Sequence, residues 1–408
     1  MPRLIRVLLI TQWFDPEPTF KGLVFARELV RQGFEVEVVT GFPNYPGGRV
    51  YPGYRVKWLQ REVIDGVHVT RVPLYPNHDQ SATKRALNYV SFAVSALFYG
   101  LFMAKRADVM YAYHPPLTVG IAACLIRFFR GIPVVYDIQD MWPDTLRATG
   151  MIKNMRFLSA LATICRWVYR WVDRVTVLSP GFKRLLVERG VPEVKIDVIY
   201  NWADESSLAV PTGILPQAFP GKDRFRILFA GNIGKAQALD TLLDAARLLQ
   251  LSSPRVCFVI LGGGVEVDRL RNRAIEMKLA NVLFFPPVSM SEVGAYLNEA
   301  DVLLVHLRKD PLFEITIPSK TQAYMAVGKP ILMAVEGDAA DLVREADCGL
   351  VTEPENAPAL AQVAQTLSRM SQAERDTFGE NAQEFYHTNL GLEVGVNRFA
   401  KCFAQVSE

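Results

Sequence analysis

The sequence predicts an α/β protein built from two doubly wound domains, each with a parallel sheet. Its 408 residues exceed the usual size of one domain, which is about 100–200 residues. Half of the residues are hydrophobic and 21% are charged, which is a globular composition. Short β-branched runs alternate with longer amphipathic stretches along the chain, and this alternation is typical of βαβ units.

Seven strand-like runs lie in the first half of the chain, and amphipathic stretches such as LVFARELVRQG separate several of them. These runs are RVLLIT, EVEVVT, VHVTRV, DVMYAY, PVVYDI, RVTVLS and KIDVIY. Their β-branched and aromatic residues favour strands, and the helical stretches between them favour parallel pairing. We therefore predict a first domain over residues 1–205.

A segment containing Pro, Gly and Ser, NWADESSLAVPTGILPQAFPGKDR, predicts a linker near residues 205–222. The alternation then restarts with FRILFAG, CFVILGG, NVLFFP, DVLLVHL, PILMAV and CGLVTE, which predicts a second domain over residues 206–385. In open parallel sheets, ligands bind beyond the carboxyl ends of the strands. We therefore expect the site in the loops after these runs, in a cleft between two facing domains.

The five cysteines are odd in number and widely scattered, and no pair has the spacing of a metal or redox site. We therefore expect no metal site and reduced thiols in a cytoplasmic protein. The first residues, MPRLIRVLLITQWFD, contain only a short apolar run before polar residues. That pattern is typical of a first β-strand and not of a signal peptide.

Charge is divided unevenly along the chain. Residues 1–200 contain 26 Lys and Arg against 16 Asp and Glu, and the remaining residues contain 19 against 26. The basic half predicts contact with an anion, such as membrane phospholipid, nucleic acid or a phosphorylated substrate, although an ordinary solvated surface would have the same composition.

One uncharged segment, ALNYVSFAVSALFYGLFMA at 86–104, is long enough to span a membrane, and basic residues flank it on both sides. Strand-like runs stand before and after it, and neighbouring strands of one sheet cannot lie on opposite sides of a bilayer. Its polar residues also fall on one helical stripe, Asn88, Ser91, Ser95 and Tyr99. Two interpretations remain: a buried helix, or a helix lying partly in an anionic membrane interface.

The loops after the first-half strands contain several candidate site residues. Gly22 stands near a helix start, where backbone N–H groups could bind an anion, although turns need glycine anyway. The loop DIQDMWPDTL contains Asp137, Asp140 and Asp144, which could handle protons or hold sugar hydroxyls. Asp144 could equally cap a helix. His114 ends the preceding strand, where a structural and a catalytic role are both open.

In the second half, AGNIGKAQALDTLL and LGGGVEVDRL are glycine-bearing turns between a strand and a helix. Neither matches GxGxxG or a Walker loop, so nicotinamide and P-loop chemistry are poorly supported. The stretch TIPSKTQAYMAVGKP places Pro318, Ser319 and Lys320 at a helix start. Ser319 could simply cap the helix, but a cation there opposes the helix dipole unless an anion binds. We therefore predict a diphosphate site at this helix start.

Six segments together resemble family 4 glycosyltransferases: GFPNYPGGRVYPGY, EVIDGVHVTRVPLYP, RALNYVSFAVSAL, DIQDMWP, FAGNIGKAQALDTLLDAA and IPSKTQAYMAVGKPIL. The similar branch comprises N-acetyl-L-fucosaminyl and colanic-acid or O-antigen sugar transferases. The resemblance covers nearly the whole chain in the correct order. It implies a GT-B fold of two Rossmann-like domains, in which the second holds a nucleotide sugar and the first an acceptor. It also implies a retaining reaction and a last helix, 386–408, that crosses back to the first domain.

The sequence departs from the family pattern at the donor site. Many members have a Glu-x7-Glu element, but its two places correspond here to Ile315 and Ala323. Glu314 and Gln322 keep the same spacing one residue out of register. The usual Arg and Lys after the first strand of the second domain correspond to Asn232 and Gln237, with Lys235 between them. The residue that would bind the ribose is therefore unassigned.

The resemblance and the loop positions give a set of expected roles. We expect the donor to contact Gly22, Gly231, Asn232, Lys235, Gly263, Ser319, Lys320 and Gln322. We expect Asp140 to orient or deprotonate the acceptor, His114 or Tyr113 to line the sugar and Glu314 to face donor hydroxyls.

The expected substrates are a nucleotide sugar, with UDP preferred, and a lipid-linked saccharide acceptor. We expect an anionic membrane surface as partner, at the inner face of the cytoplasmic membrane, and no cofactor, essential metal or nucleic acid. Two alternatives remain open. One is a nucleotide-sugar 2-epimerase of the same fold, whose usual several histidines are hard to find among five His. The other is an inactive protein that binds sugar nucleotides.

Overall fold

The computed structural model describes residues 4–77, 82–148, 152, 154–208 and 219–408. The chain divides into two compact units, Met1–Tyr200 with Leu392–Glu408, and Asn201–Gly391. The predicted first boundary, after residue 205, lies slightly later than the observed one after Tyr200. The predicted second boundary, before residue 386, lies slightly earlier than the observed one before Leu392. The segment after Tyr200 packs in the second unit because the Tyr386 hydroxyl accepts a hydrogen bond from Ala203 N, at 3.0 Å, and donates one to Glu205, at 2.8 Å.

The first unit is built on an eight-stranded sheet with the order β3-β4-β2-β1-β5-β6-β7-β8. All neighbouring strands pair in parallel except β3 and β4. The strands are β1 (Arg6–Ile10), β2 (Glu35–Gly41), β3 (Gln60–Ile64), β4 (Val67–Val72), β5 (Val109–His114), β6 (Val134–Ile138), β7 (Arg174–Val177) and β8 (Ile196–Val198).

Strand β3 was not among the predicted strands. It forms an antiparallel hairpin with β4 across the dipeptide Asp65-Gly66, where both residues have positive φ, 49° and 82°. Asp-Gly between two strands is a strong signal for a two-residue hairpin. The sequence therefore contained a pattern that predicts this hairpin and its first strand.

The helices of the first unit are α1 (Leu23–Arg31), α2 (Ala82–Phe102), α3 (Leu117–Arg130), α4 (Asp144–Ala148), α5 (Met155–Trp171), α6 (Pro180–Glu188) and the last helix of the chain, α16 (Leu392–Ser407). Helix α3 packs against both α2 and α5. Helix α16 packs on α1, β5 and β6, and its Phe399 ring lies 5.2 Å from Phe25 and 5.6 Å from Tyr111. The final segment of the chain thereby completes the core of the first unit.

Helix α2 has its polar side turned inward. Asn88 is buried and bonded to Gln12 Nε2 and to the Tyr75 carbonyl oxygen, and the buried Tyr99 hydroxyl donates to Glu37 at 2.5 Å. Its outward stripe is apolar, with exposed fractions of 43 to 72% for Leu87, Val90, Val94, Phe98 and Phe102. The predicted polar stripe therefore exists, but it faces the protein. Within the described residues, no helix has both the length and the apolar character needed to cross a bilayer.

The second unit contains a fully parallel six-stranded sheet with the order β11-β10-β9-β12-β13-β14. These strands are β9 (Phe225–Ala230), β10 (Val256–Leu261), β11 (Val282–Phe285), β12 (Val302–His306), β13 (Ile331–Ala334) and β14 (Gly349–Val351). All six coincide with predicted runs. Residues 209–218, in the middle of the predicted linker, lie outside the described part of the chain.

The helices of the second unit are α7 (Glu205–Leu208), α8 (Asp240–Ser252), α9 (Val267–Glu276), α10 (Met290–Glu299), α11 (Pro311–Glu314), α12 (Ser319–Val327), α13 (Asp338–Glu345), α14 (Ala357–Arg369) and α15 (Gln372–Phe385), and a π-helical turn, Tyr386–Leu390, follows α15. Helices α8 and α14 pack together and bury their apolar faces against the sheet. All five cysteines are free and buried, in agreement with the predicted reduced thiols.

Candidate functional site

The carboxyl edge of the second sheet brings together most of the second-half residues that the sequence singled out. Strands β9, β10 and β12 are neighbours or next neighbours, and they end at Ala230, Leu261 and His306. The loops after them, and the start of α12, lie where parallel sheets bind ligands.

Two glycine turns pack backbone to backbone at this edge. Gly262 and Gly264 have φ values of 146° and 151°, and a Cβ on either would collide with a carbonyl oxygen, that of Gly231 or of Ile233. Ile233 N donates to Gly263 O at 2.8 Å, which joins the two turns directly. Glycine is therefore required at positions 262 and 264 for close packing of the two turns. The predicted residues Gly231 and Gly263 lie in these turns, and a Cβ on Gly263 would make only ordinary contacts, with Pro287 at 3.5 Å.

Helix α12 is held over the end of β9 by a buried tyrosine. The Tyr324 hydroxyl accepts a hydrogen bond from Ala230 N at 3.0 Å and donates one to Ala230 O at 3.3 Å. Pro318 precedes the helix, and Thr321 N donates to Pro318 O at 2.8 Å. Ser319 is the first helical residue and is exposed, and its side chain makes no capping hydrogen bond. Ser319 therefore does not act as a structural cap of α12.

Lys320 packs its ammonium group against an aromatic ring at the start of α12. Its Nζ lies 3.6 Å from the centre of the Phe229 ring and 3.4 Å from the position that a Cβ on Gly231 would take. This buried ammonium nitrogen has no hydrogen-bond partner among the described residues. Burial lowers the pKa of Lys320 to about 7. A cation in such a place is costly unless an anion binds to it.

His306 was not predicted as a site residue, although it ends a strand at the same edge. It is fully buried, and its Nδ1 lies 2.8 Å from the Gln237 carbonyl oxygen. Its Nε2 has no partner within the described chain. Burial, with a smaller effect of the Lys320 charge, lowers the pKa of His306 to about 4, although the hydrogen bond to Gln237 and the Glu355 charge oppose that shift. The imidazole is therefore neutral at neutral pH, and its free nitrogen is a hydrogen-bond acceptor.

The other predicted donor residues are less closely grouped. Asn232 and Lys235 are both exposed, and Lys235 begins a 3-10 turn, Lys235–Gln237. Glu314 ends α11 and is half-buried. Gln322 is buried. In the amide orientation that satisfies the neighbouring acceptors, its side-chain nitrogen donates hydrogen bonds to the carbonyl oxygens of Ser319 and Pro318. The Gln322 nitrogen therefore binds the start of its own helix.

In the first unit, the loop after β1 already contains an anion. Asp15 Oδ2 accepts a hydrogen bond from Leu23 N, at 2.6 Å, at the start of α1. A Cβ on Gly22 would collide with the same carboxylate oxygen. The Asp15 carboxylate thus occupies a position at this helix start that the sequence assigned to a bound anion.

His114 and Asp140 lie in the loops after β5 and β6. His114 is buried between aromatic rings, 5.7 Å from Tyr136 and 5.3 Å from Trp142 between ring centres, and burial lowers its pKa to about 3. Asp140 is half-buried, and burial raises the pKa of its carboxyl. Neither a hydrogen bond nor an ion pair reaches the Asp140 carboxylate from the rest of the described chain.

Asp137 and Asp144 have structural partners instead. Asp137 is buried and accepts hydrogen bonds from Tyr111 at 2.6 Å, Thr176 at 2.8 Å and Gln139 at 2.9 Å. Asp144 forms an ion pair with Arg189 at 2.5 Å, in the first turn of α4. Of these three aspartates, Asp140 is the one whose carboxylate has no hydrogen-bond or ion-pair partner in the described part of the chain, so it is the candidate for contact with a substrate.

Lys21, a buried lysine in the first unit, was also not predicted as a site residue. Lys21 lies 5.3 Å from the centre of the Phe399 ring, and burial lowers its pKa to about 8, although Asp137 opposes that shift. Only the fold, which brings α16 and β6 to the loop after β1, identifies it. No group of three or more His, Cys, Asp or Glu side chains in the described ranges could hold a metal ion.

Comparison with known families gives two matches. Residues 23–202 match the family described as Glycosyl transferase 4-like domain, and residues 215–385 match Glycosyl transferases group 1. The chain is 28% identical over 347 residues to "Putative colanic acid biosynthesis glycosyl transferase WcaI" of Escherichia coli (strain K12), covering 81% of this chain and 84% of that protein. It is 26% identical over 307 residues to "Probable glycosyltransferase WbjE" of Pseudomonas aeruginosa, covering 73% and 75%.

Solved structures share the fold across nearly the whole chain. Sucrose-phosphate synthase from Thermosynechococcus elongatus has a TM-score of 0.74 at 16% identity, and the match covers 98% of each chain. Anabaena HepE in complex with UDP-glucose has a TM-score of 0.67 at 14% identity, covering 98% of this chain and 100% of that one.

Proposed function

The chain belongs to the family 4 glycosyltransferases and has their GT-B fold of two Rossmann-like domains, and from this we propose a specific reaction. It moves a sugar from a UDP-linked donor to a saccharide carried on a polyprenyl diphosphate, with retention of anomeric configuration. Its relatives indicate a glycosyltransferase of the bacterial polysaccharide biosynthesis type. The observation that carries the proposal is the buried Lys320 ammonium at the start of α12, which lacks a hydrogen-bond partner among the described residues.

Transfer from a nucleoside diphosphate breaks the bond between the anomeric carbon and a phosphate oxygen, so negative charge develops on the leaving diphosphate. Lys320 and the first-turn N–H groups of α12 supply positive charge and hydrogen-bond donors for it. Lys235 adds a second cation. The tightly packed turns at Gly231 and Gly263 keep side chains away, so the diphosphate can approach the backbone.

The acceptor hydroxyl attacks from the face that the diphosphate leaves, and no protein nucleophile takes part. Asp140 orients or deprotonates that hydroxyl, because a carboxylate whose pKa burial raises is a stronger base. His114 lines the sugar as a neutral ring, and Glu314 faces donor hydroxyls. The reaction requires no divalent ion.

The choice of UDP is supported by neighbours of the same fold, since HepE is described in complex with UDP and with UDP-glucose. The lipid-linked acceptor is supported by relatives such as the one named for colanic acid biosynthesis. It is also supported by α2, whose apolar stripe faces outward and could enter the interface of an anionic bilayer at the inner face of the cytoplasmic membrane.

The test is turnover of purified protein with a panel of UDP- and GDP-sugars and a polyprenyl-diphosphate-linked saccharide, with EDTA present. We expect release of UDP and elongation of the lipid-linked saccharide, and proton NMR of the product should show the anomeric configuration of the donor. Lys320→Ala should slow the reaction, and Lys222→Ala, an exposed lysine before β9, is the matched control. Conversion of the donor without acceptor would indicate the epimerase, and donor binding without turnover would indicate the inactive binding protein.

A further inference from the structure

Helix α5 has an apolar stripe that faces away from the protein. Phe157, Ile164, Trp167 and Trp171 recur at helical spacing, with exposed fractions of 50, 38, 39 and 37%. Another side of α5 is already buried, through Leu158, Cys165, Val168 and Tyr169. The outer stripe is therefore not needed to attach α5 to the first unit.

The end of α3 extends this stripe. Phe128 and Phe129 are 63% and 68% exposed, and their rings lie 5.1 Å apart between centres. Phe128 lies 6.2 Å from Trp171, which in turn lies 6.2 Å from Trp167. The rings form one continuous exposed group, which we call the α3–α5 aromatic surface. Exposed apolar patches of this kind mark sites that bind proteins or membranes.

The charges beside this surface favour one type of partner. Helix α5 contains Arg156, Arg166 and Arg170 and no acidic residue. All three arginines are exposed, and no ion pair involves any of them in the part of the chain that the structure describes. Arg166 donates to the Thr163 hydroxyl, at 3.0 Å. An amphipathic helix with arginines beside Trp and Phe is typical of helices that lie in an anionic membrane interface.

We propose that the α3–α5 aromatic surface docks on the surface of an anionic phospholipid bilayer. Its Trp and Phe rings enter the headgroup region, and the three arginines of α5 bind lipid phosphates. This surface consists of other residues than the outward stripe of α2, and α3 contacts both α2 and α5. The inference deepens the proposed function, since a lipid-linked acceptor lies in a membrane, but the side chains of α3 and α5 carry it on their own.

The experiment is flotation of the full-length protein with vesicles of phosphatidylglycerol and phosphatidylcholine, compared with phosphatidylcholine alone. The wild type should bind the anionic vesicles only, and less at high salt. Phe128→Ser with Phe129→Ser should weaken binding by roughly tenfold or more, because two exposed rings lose their apolar contact. Trp167→Gln with Trp171→Gln should do the same, and should also abolish quenching of tryptophan fluorescence by brominated lipid at this surface.

Leu251→Ser, at a position 91% exposed in the second unit, is the matched control and should bind like the wild type. Circular-dichroism melts identify variants that fail to fold. If the Trp double variant, whose rings are partly buried, does not fold, the Phe double variant alone tests the proposal. UDP affinity, measured by calorimetry without vesicles, should be the same in all folded variants, so failure here is distinct from failure of the proposed function. Vesicle binding unchanged in the Phe variant would overturn the proposal. A wild-type dimer that the Phe variant makes monomeric would also overturn it, by assigning the surface to a second copy.

Discussion

Replacement of Lys320 by alanine gives the sharpest test of the donor site. The Lys320 ammonium is buried against the Phe229 ring and lacks a hydrogen-bond partner in the described structure, so it has nothing to bind until an anion arrives. A hydrogen bond to a charged group contributes about 1.5–3 kcal/mol. Lys320→Ala should therefore raise the Kd for UDP by about 10- to 150-fold.

The same lysine makes binding depend on pH. Burial lowers the pKa of Lys320 to about 7 in the ligand-free protein, and a bound diphosphate must raise it again. Above that pH the lysine must take up a proton on binding, so the affinity of the wild type for UDP should fall by up to about tenfold per pH unit. Affinity should be nearly constant with pH in Lys320→Ala.

The lowered pKa also predicts an effect on stability. The folded state binds this proton less tightly than the unfolded chain, so burial of Lys320 lowers the stability of the ligand-free protein. The loss of stability is complete below a pH of about 7, and it disappears above the ordinary lysine pKa of about 10.4. Lys320→Met should therefore raise the Tm of the ligand-free protein in mild acid, and the gain should shrink as pH rises.

Isothermal titration calorimetry with UDP, in two buffers of different ionisation enthalpy, measures both the affinity and the proton uptake. Lys222→Ala should bind UDP like the wild type. Equal affinity in the wild type and Lys320→Ala, or no proton uptake above neutral pH, would refute the assignment of Lys320 to the diphosphate.

Three further predictions concern other parts of the structure. Asp140→Asn should lower turnover by about 10²–10⁴-fold with donor binding unchanged, and near-normal turnover in a steady-state assay would move the acceptor base elsewhere, with His114 tested next. Tyr324→Phe should lower the free energy of unfolding by about 1–3 kcal/mol in urea titrations, because the buried Ala230 N–H loses the Tyr324 hydroxyl as its hydrogen-bond acceptor, whereas an unchanged midpoint would contradict the role of Tyr324 in holding α12. Phe102→Asp should weaken binding to anionic vesicles without changing the Tm, because Phe102 is 72% exposed; loss of folding would instead show that the ring belongs to the core.

The sequence was a good guide to the strands because both faces of a parallel sheet are buried. Each buried strand is then a continuous apolar run, such as VCFVIL in β10, which stands out from the amphipathic helices. Strand β3, by contrast, lies at the edge of the sheet, and its residues alternate between half-buried and exposed. Its sequence, QREVI, therefore lacked the apolar run that identified the others.

The candidate site was predictable where a local pattern carries the chemistry. The start of α12 is such a pattern, because proline, serine and lysine at a helix start can be recognised without knowing the fold. His306 and Lys21 were not predictable in the same way. Their significance depends on burial and on contacts with residues far away in sequence, Gln237 for His306 and Phe399 for Lys21.

The position of α16 affects the order in which the chain can fold during synthesis. The first unit includes Leu392–Glu408, and the Phe399 ring covers Phe25 and Tyr111. The ribosome therefore releases β1 to β8 long before the helix that completes their core, and an apolar surface on the nascent first unit stays uncovered while the whole second unit is made. Until α16 emerges, that surface is a natural binding site for a chaperone.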